Sequence, residues 1–180
     1  MDTSEIYRTA QIETDKEMRV ARRASEIIEN MPRYKYVAAR SSVPDFCVGI
    51  IHSLESSLNF SCHLHNGDSL SNRTIHVPTG RPKSGTPPFT WEESAIDALK
   101  GVWVPCNWAI SEMLEFFERY NGLGYRKHHV PSPYVWACTN AYKAGLFTSD
   151  GTFDQAAVSN NIGAAALLKA IAFLEPATLQ

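Results

Sequence analysis

The chain has 180 residues, 44% of them hydrophobic and 20% charged, with 17 basic side chains against 19 acidic ones. A formal net charge of −2 gives no global electrostatic case for a nucleic-acid partner. No run approaches the roughly 18 apolar residues a membrane span needs, and the length suits a single globular domain over residues 1–180 with a sizeable core.

Residues 3–31 set Ile6, Ala10, Ile12, Met18, Ala21, Ala24, Ile27, Ile28 and Met31 on an approximate helical stripe. This predicts one long N-terminal helix stopped by Pro32. "RYKYVAARSSV" (33–43) reads as a short helix running into a loop. Pro44 fits the first turn of the next helix, with Ser41 or Ser42 as its cap. That helix, "PDFCVGIIHSLESS" (44–57), is apolar nearly all round and is expected to be central and buried.

From 59 to 90 the character changes. "HNGD", "PTGRPKSGTPP" and the β-branched "RTIHV" predict a small hairpin or irregular β-rich lobe. Thr90 then caps "TWEESAIDALKG", with Glu93 at the capping-box position and Gly101 as terminator. Residues 103–120 read as an amphipathic helix presenting Trp108, Met113, Leu114, Phe116 and Phe117. "NGLGYRKHHVPSP" is a loop. Arg119, Arg126, Lys127, His128 and His129 fall there and just before it, with no acid among residues 119–129, as a basic patch or a solvated loop. "SPYVWACTNAYKAG" (132–145) reads as a helix with Pro133 in its first turn and Gly145 at its end. "LFTSDGTFD" is a turn, and 154–174 form a small-residue helix. The class is α+β, mostly α, with a small β-hairpin lobe inserted after a central buried helix.

Cys47, Cys62, Cys106 and Cys138 form no CxxC pair and lie in apolar or semi-apolar surroundings; free buried thiols are expected, and the even count leaves disulfides open. Cys62, His63, His65, Asp68 and His76 lie close in sequence. His-x-His with a lone Asp, and no HExxH, is a weak zinc pattern, and no metal or cofactor is expected. A GxSxG nucleophile elbow is absent too.

Glu55 sits where the apolar run of the central helix stops. A free glutamate is ionised at neutral pH; burial and the negative end of a helix dipole both disfavour the carboxylate. Glu55 is therefore either an exposed helix-end residue or an acid kept protonated to donate to a leaving oxygen. Asp68, in the turn "HNGDSL", is either an Asx-turn residue or a second carboxylate that orients water or steadies an oxocarbenium-like centre. Ser56 bonds the local backbone or Glu55. Thr74, beside Arg73, is a strand residue or holds a water. His65 serves the polar lobe. Tyr120 and Tyr125 pack in a core or offer ring faces to sugars.

"VPDFCVGIIHSLESSLNF" resembles the catalytic helix of soluble lytic transglycosylases and goose-type lysozymes, a Pro-started apolar run ending in Glu-Ser, with Glu55-Ser56 matching in place. "ERYNGLGY" (118–125) resembles their Tyr-Asn-Ala-Gly groove motif at Tyr120, Asn121 and Gly122. "SPYVWACTNAY", with Tyr134, resembles their next segment. The longer pattern over about 44–170 resembles bacterial and phage proteins described as lysozyme-family or peptidoglycan-active.

The resemblance implies a lysozyme-like fold and a muramidase, endolysin-like, that cleaves the β-1,4 MurNAc-GlcNAc bond of peptidoglycan glycan strands. Glu55 would be its acid and Asp68 the second carboxylate. Ser56, His65, Thr74, Tyr120, Asn121, Tyr125 and Tyr134 would line a groove between the β lobe and the helical lobe. The basic loop at 126–129 would meet stem-peptide carboxylates. The Gly-Leu-Met-Gln segment usual after the transglycosylase Glu is absent, and goose-type enzymes carry an Asp about as far past the Glu as Asp68. Hydrolysis is thus expected over transglycosylation to an anhydro product, with a non-catalytic wall binder as the other alternative. A monomer is expected, with no nucleic-acid partner. The N-terminal stretch has no apolar core of signal-peptide type. The chain is expected to be made in the cytoplasm and to reach the wall through a holin or a secretion machine.

Overall fold

The computed structural model describes residues 3–149 and 151–176. The fold is mostly helical with one small two-stranded antiparallel sheet among the described residues. It divides into two compact units, Glu26–Val104 and Met1–Ser25 with Pro105–Gln180.

The first unit is built on three helices: α3 (Met31–Ala38), α4 (Asp45–Ser56) and α5 (Trp91–Leu99). Helix α3 packs on both α4 and α5. As expected, α4 is central: every residue from Phe46 to Ser53 is buried. Its close approach to its neighbours requires glycine, because a Cβ on Gly49 would lie 2.6 Å from Ile27 Cγ2 and 2.9 Å from Tyr34 Cε2. The expected serine cap is not formed. Pro44 itself occupies the N-cap, and Ser41 Oγ accepts instead from the Val43 amide at 3.4 Å. Thr90 caps α5 through a complete capping box with Glu93, and the chain leaves that helix through Gly101 at φ +83°.

The β-rich lobe expected over 59–90 has no strand. A single bridge pairs Cys62 with Ser69, flanked by the Leu70 amide to Ser61 carbonyl bond (3.1 Å) and the His63 amide to Asp68 carbonyl bond (2.6 Å). Beyond it, side chains take the place of a ladder. Ser94 Oγ accepts from the Leu64 amide at 3.3 Å, and His63 Nε2 bonds the Asn72 carbonyl at 2.8 Å. Pro78, Pro82, Pro87 and Pro88 offer no amide donor, which is incompatible with a regular paired strand here.

The expected helix 3–31 is broken into α1 (Thr3–Thr9) and α2 (Glu17–Glu29), with a 3-10 turn at Thr14–Lys16 between them; Pro32 lies in the first turn of α3 rather than after a continuous helix. The expected helix 132–145 shrinks to α7 (Pro133–Trp136). One contact interrupts both: Ile12 forms an antiparallel bridge with Thr139, and the Gln11 carbonyl accepts from the Asn140 amide at 3.0 Å. Extended backbone pairing cannot coexist with helical i→i−4 bonding at the same residues.

Helix α6 (Ile110–Asn121) begins seven residues after the expected Trp103. Pro105 bars a helical Val104, and Asn107 Oδ1 accepts from the Ala109 amide at 2.9 Å just before the helix. Helix α8 (Ala164–Leu174) likewise starts ten residues later than expected. The only sheet among the described residues is β1 (Leu146–Ser149) with β2 (Thr152–Asp154), where a turn alone was expected. Helix α6 packs on α1, α7 and α8, and α7 packs on α8. At the α7–α8 junction a Cβ on Gly163 would sit 2.6 Å from the Val135 carbonyl oxygen.

Candidate functional site

Helix α4 ends abruptly after Ser56, one residue past Glu55. Ser57 and Leu58 both adopt left-handed backbone, at φ 54° and 65°, which costs a non-glycine residue roughly 1–2 kcal/mol. The reversal lets the Ser57 amide reach the Ser53 carbonyl (3.2 Å) and the Leu58 amide reach the His52 carbonyl (3.3 Å), so the helix end is capped by its own chain. The turn 66–68 then returns onto that end: a Cβ on Gly67 would lie 3.3 Å from the Glu55 carbonyl oxygen. Glu55 is half-buried. Burial raises its carboxyl to about 7, with no other contribution of either sign. A glutamate in this setting carries a proton near neutral pH and can donate it.

One turn before Glu55, His52 is fully buried. Its Nδ1 is hydrogen-bonded to the Tyr34 hydroxyl at 3.1 Å, and its ring lies 4.5 Å from those of Phe60 and Trp91. Arg33 stacks on Phe60 with Cζ 3.7 Å from the ring centroid and pairs with Glu92 at 2.6 Å. Desolvation would raise the Glu92 carboxyl, but Arg33 outweighs it and holds it low. Sequence reasoning passed over this aromatic group, because His52 and Phe60 read only as parts of an apolar run. The i, i+3 spacing of His52 and Glu55 was the available signal.

Asp68 is committed to its own loop. Its Oδ2 accepts from the amides of Ile75 (2.8 Å) and His76 (3.0 Å) and from Asn66 Nδ2 (3.1 Å), and its Oδ1 bonds His76 Nδ1 at 2.6 Å. Desolvation would raise this carboxyl, but the His76 ring and the two amides more than reverse that and hold it at about 2.

The other expected residues of this unit have structural partners. His65 Nε2 pairs with Asp97 at 2.9 Å; burial depresses its ring against the pull of that partner. Thr74 is buried, donates to the Pro78 carbonyl at 2.5 Å and accepts from the Arg81 amide at 2.9 Å. Neither offers the free surface a sugar contact needs. Ser56 Oγ turns back to the His52 carbonyl at 3.4 Å. Glu55, Ser56, His65, Asp68 and Thr74 thus share the unit Glu26–Val104, whereas Tyr120, Asn121, Tyr125 and Tyr134 belong to the other.

There, Tyr125 is a core residue. It is buried, its hydroxyl accepts from the Phe147 amide at 3.3 Å, and its ring meets those of Tyr134, Phe147 and Phe153. Tyr120 packs against Phe116, and Asn121 Nδ2 donates to the Phe117 carbonyl at 2.9 Å. Of the basic loop, Arg126 is paired with Glu118 at 2.6 Å and His128 stacks on Phe153.

The sequence cluster of Cys62 and histidines does not converge. His63 Nδ1 bonds Ser94 Oγ at 2.8 Å, while His65 and His76 bond different carboxylates. Among the described residues no group of three or more His, Cys, Asp or Glu is placed to hold a metal ion. All four cysteines are free thiols, and Cys106 is exposed, against the expectation of burial.

Compared with known proteins, the chain matches no family model, no curated protein and no solved structure.

Proposed function

We propose that this chain is a peptidoglycan-cleaving glycosidase of lysozyme-like type, with Glu55 as its general acid. The observation that carries the reading is a lone glutamate at the end of a buried helix whose carboxyl burial alone holds at about 7. The Glu-Ser ending of α4 and the Tyr120–Asn121 motif, both seen in the sequence, supply the substrate class. Glu55 gives its proton to the glycosidic oxygen as the bond from that oxygen to the MurNAc C1 breaks, leaving an oxocarbenium-like sugar and a Glu55 carboxylate.

The second half needs a nucleophile. Hydrolysis calls for a free second carboxylate to activate water. With both Asp68 oxygens taken, the intramolecular route is favoured. The sugar's own C6 hydroxyl attacks C1, its proton passes to the Glu55 carboxylate, and a 1,6-anhydro product forms with no water consumed. This sequence needs one carboxylate and regenerates it.

Glu55→Gln should abolish release of soluble fragments from purified sacculi, a loss of at least about a hundredfold to ten-thousandfold, with the fold intact by circular dichroism. Undiminished release would end the proposal. Mass spectrometry of the wild-type products should show anhydro ends; reducing ends would restore water as the nucleophile.

A further inference from the structure

The segment 74–81 closes on itself. The Thr74 amide reaches the Arg81 carbonyl (2.9 Å) and the Gly80 amide the Thr74 carbonyl (2.8 Å). Its base is pinned to α5, where Arg81 Nε pairs with Asp97 at 3.0 Å. Its tip has no such anchor in apolar burial: Ile75 is 71% exposed and Val77 85%. Polar links to the turn 66–68 hold the tip instead. Asp68 takes the Ile75 and His76 amides and the His76 ring, and Asn66 Nδ2 donates to the His76 and Val77 carbonyls at 3.1 and 3.4 Å. The same turn lies on the last turn of α4, at the Glu55 carbonyl oxygen.

We propose that Asp68 is a positioning residue rather than a second catalytic acid: it ties the tip of segment 74–81 to the turn 66–68, and that turn closes over the helix end that carries Glu55. The inference rests on the reading of Glu55 as the acid. Three carboxylates of this unit are engaged with partners of their own. Asp68 pairs with His76, Asp97 with His65 and Arg81, and Glu92 with Arg33. Burial is what raises the Glu55 carboxyl, so what the clamp supplies is exclusion of water, not a charge. Releasing it admits water and lets the carboxyl fall toward its ordinary value near 4.5.

The test is a titration of the Glu55 side chain, followed by the carboxyl carbon signal in protein labelled at glutamate and assigned with Glu55→Gln. In the wild type the midpoint is expected near 7. Asp68→Ala should lower it by about one unit or more. Asp68→Asn, which keeps an acceptor for the two amides, should retain most of the shift and keep turnover on sacculi within about tenfold. A folded Asp68→Ala with an unmoved Glu55 midpoint would overturn the inference. So would an Asp68→Asn that loses about a thousandfold in turnover with Glu55 unmoved, since that is the mark of a second catalytic carboxylate. If Asp68→Ala does not fold, Asn66→Ala and His76→Ala each remove links to the same tip, and unmoved midpoints in both would overturn it. A wild type inert on sacculi whose Glu55 midpoint still drops in Asp68→Ala would sink the glycosidase reading and leave the positioning role standing.

Discussion

Glu55 and Asp68 are two carboxylates thirteen residues apart in sequence, and their surroundings push them in opposite directions. Asp68 collects donors and is held at about 2; Glu55 collects only burial and is raised to about 7. For Glu55 this has a consequence for stability. Its folded value lies above the unfolded value of 4.5, so between those two pH values the folded chain holds a proton that the unfolded chain has released. Its contribution is present below about pH 4.5, is lost as pH rises to about 7, and is level beyond. The loss is on the order of 3 kcal/mol. Glu55→Gln stays neutral throughout, so its melting temperature should match that of the wild type near pH 4. Near pH 8 it should exceed it by roughly 6–12 °C. Equal differences at both pH values would mean that burial does not hold the proton.

At the scale of elements, α4 is the part on which the candidate site depends, and its placement turns on a missing side chain. Gly49 lets α4 approach Ile27 and Tyr34 more closely than any Cβ would allow. Gly49→Ala, despite the better helix propensity of alanine, should destabilise the chain by about 1–3 kcal/mol through overpacking, read as a lower urea midpoint at unchanged slope. A stabilised variant would contradict the close packing. The loops that follow α4 depend on a different device. Ser94 and Asp97, one turn apart on α5, receive His63, His65 and Arg81, so one helix face organises segments that carry no strand of their own.

Legibility followed range. The α4 helix, its burial and the acid at its end could be read from residues 44–57, and the Thr90–Glu93 capping box from four residues, since each signal is complete within a few residues of itself. The β1–β2 hairpin had a local signal that went unused, the Asp150–Gly151 pair of the sequence. The breaks in the two expected helices had none: Ile12 and Thr139 interrupt each other across more than a hundred residues.

For the molecule as a whole, the four thiols report on folding from different depths. Cys106 is exposed, whereas Cys47 is fully buried, and burial pushes its thiol well up. An aromatic disulfide reagent should modify Cys106 in the native chain within seconds, a phase that Cys106→Ser removes. Cys47 should react only at the rate of global opening, over hours or longer at 25 °C. Fast native reaction of Cys47 would contradict the burial of α4. The chain divides into two compact units, and the residues singled out in the sequence fall in both, with Glu55 and Asp68 in one and Tyr120, Asn121, Tyr125 and Tyr134 in the other.

By itself, the sequence determined that a helix apolar nearly all round would be buried and that Glu55 would stand at its end. Both follow from the order of side chains along one element. Only the tertiary structure decided what surrounds these residues. Asp68 is bound into its loop because Ile75 and His76 bring it their amides, and Tyr125 became a core residue because Phe147 and Phe153 fold onto it. Burial in the folded chain likewise pushes the Glu55 carboxyl up, because less water reaches it there than in the unfolded chain.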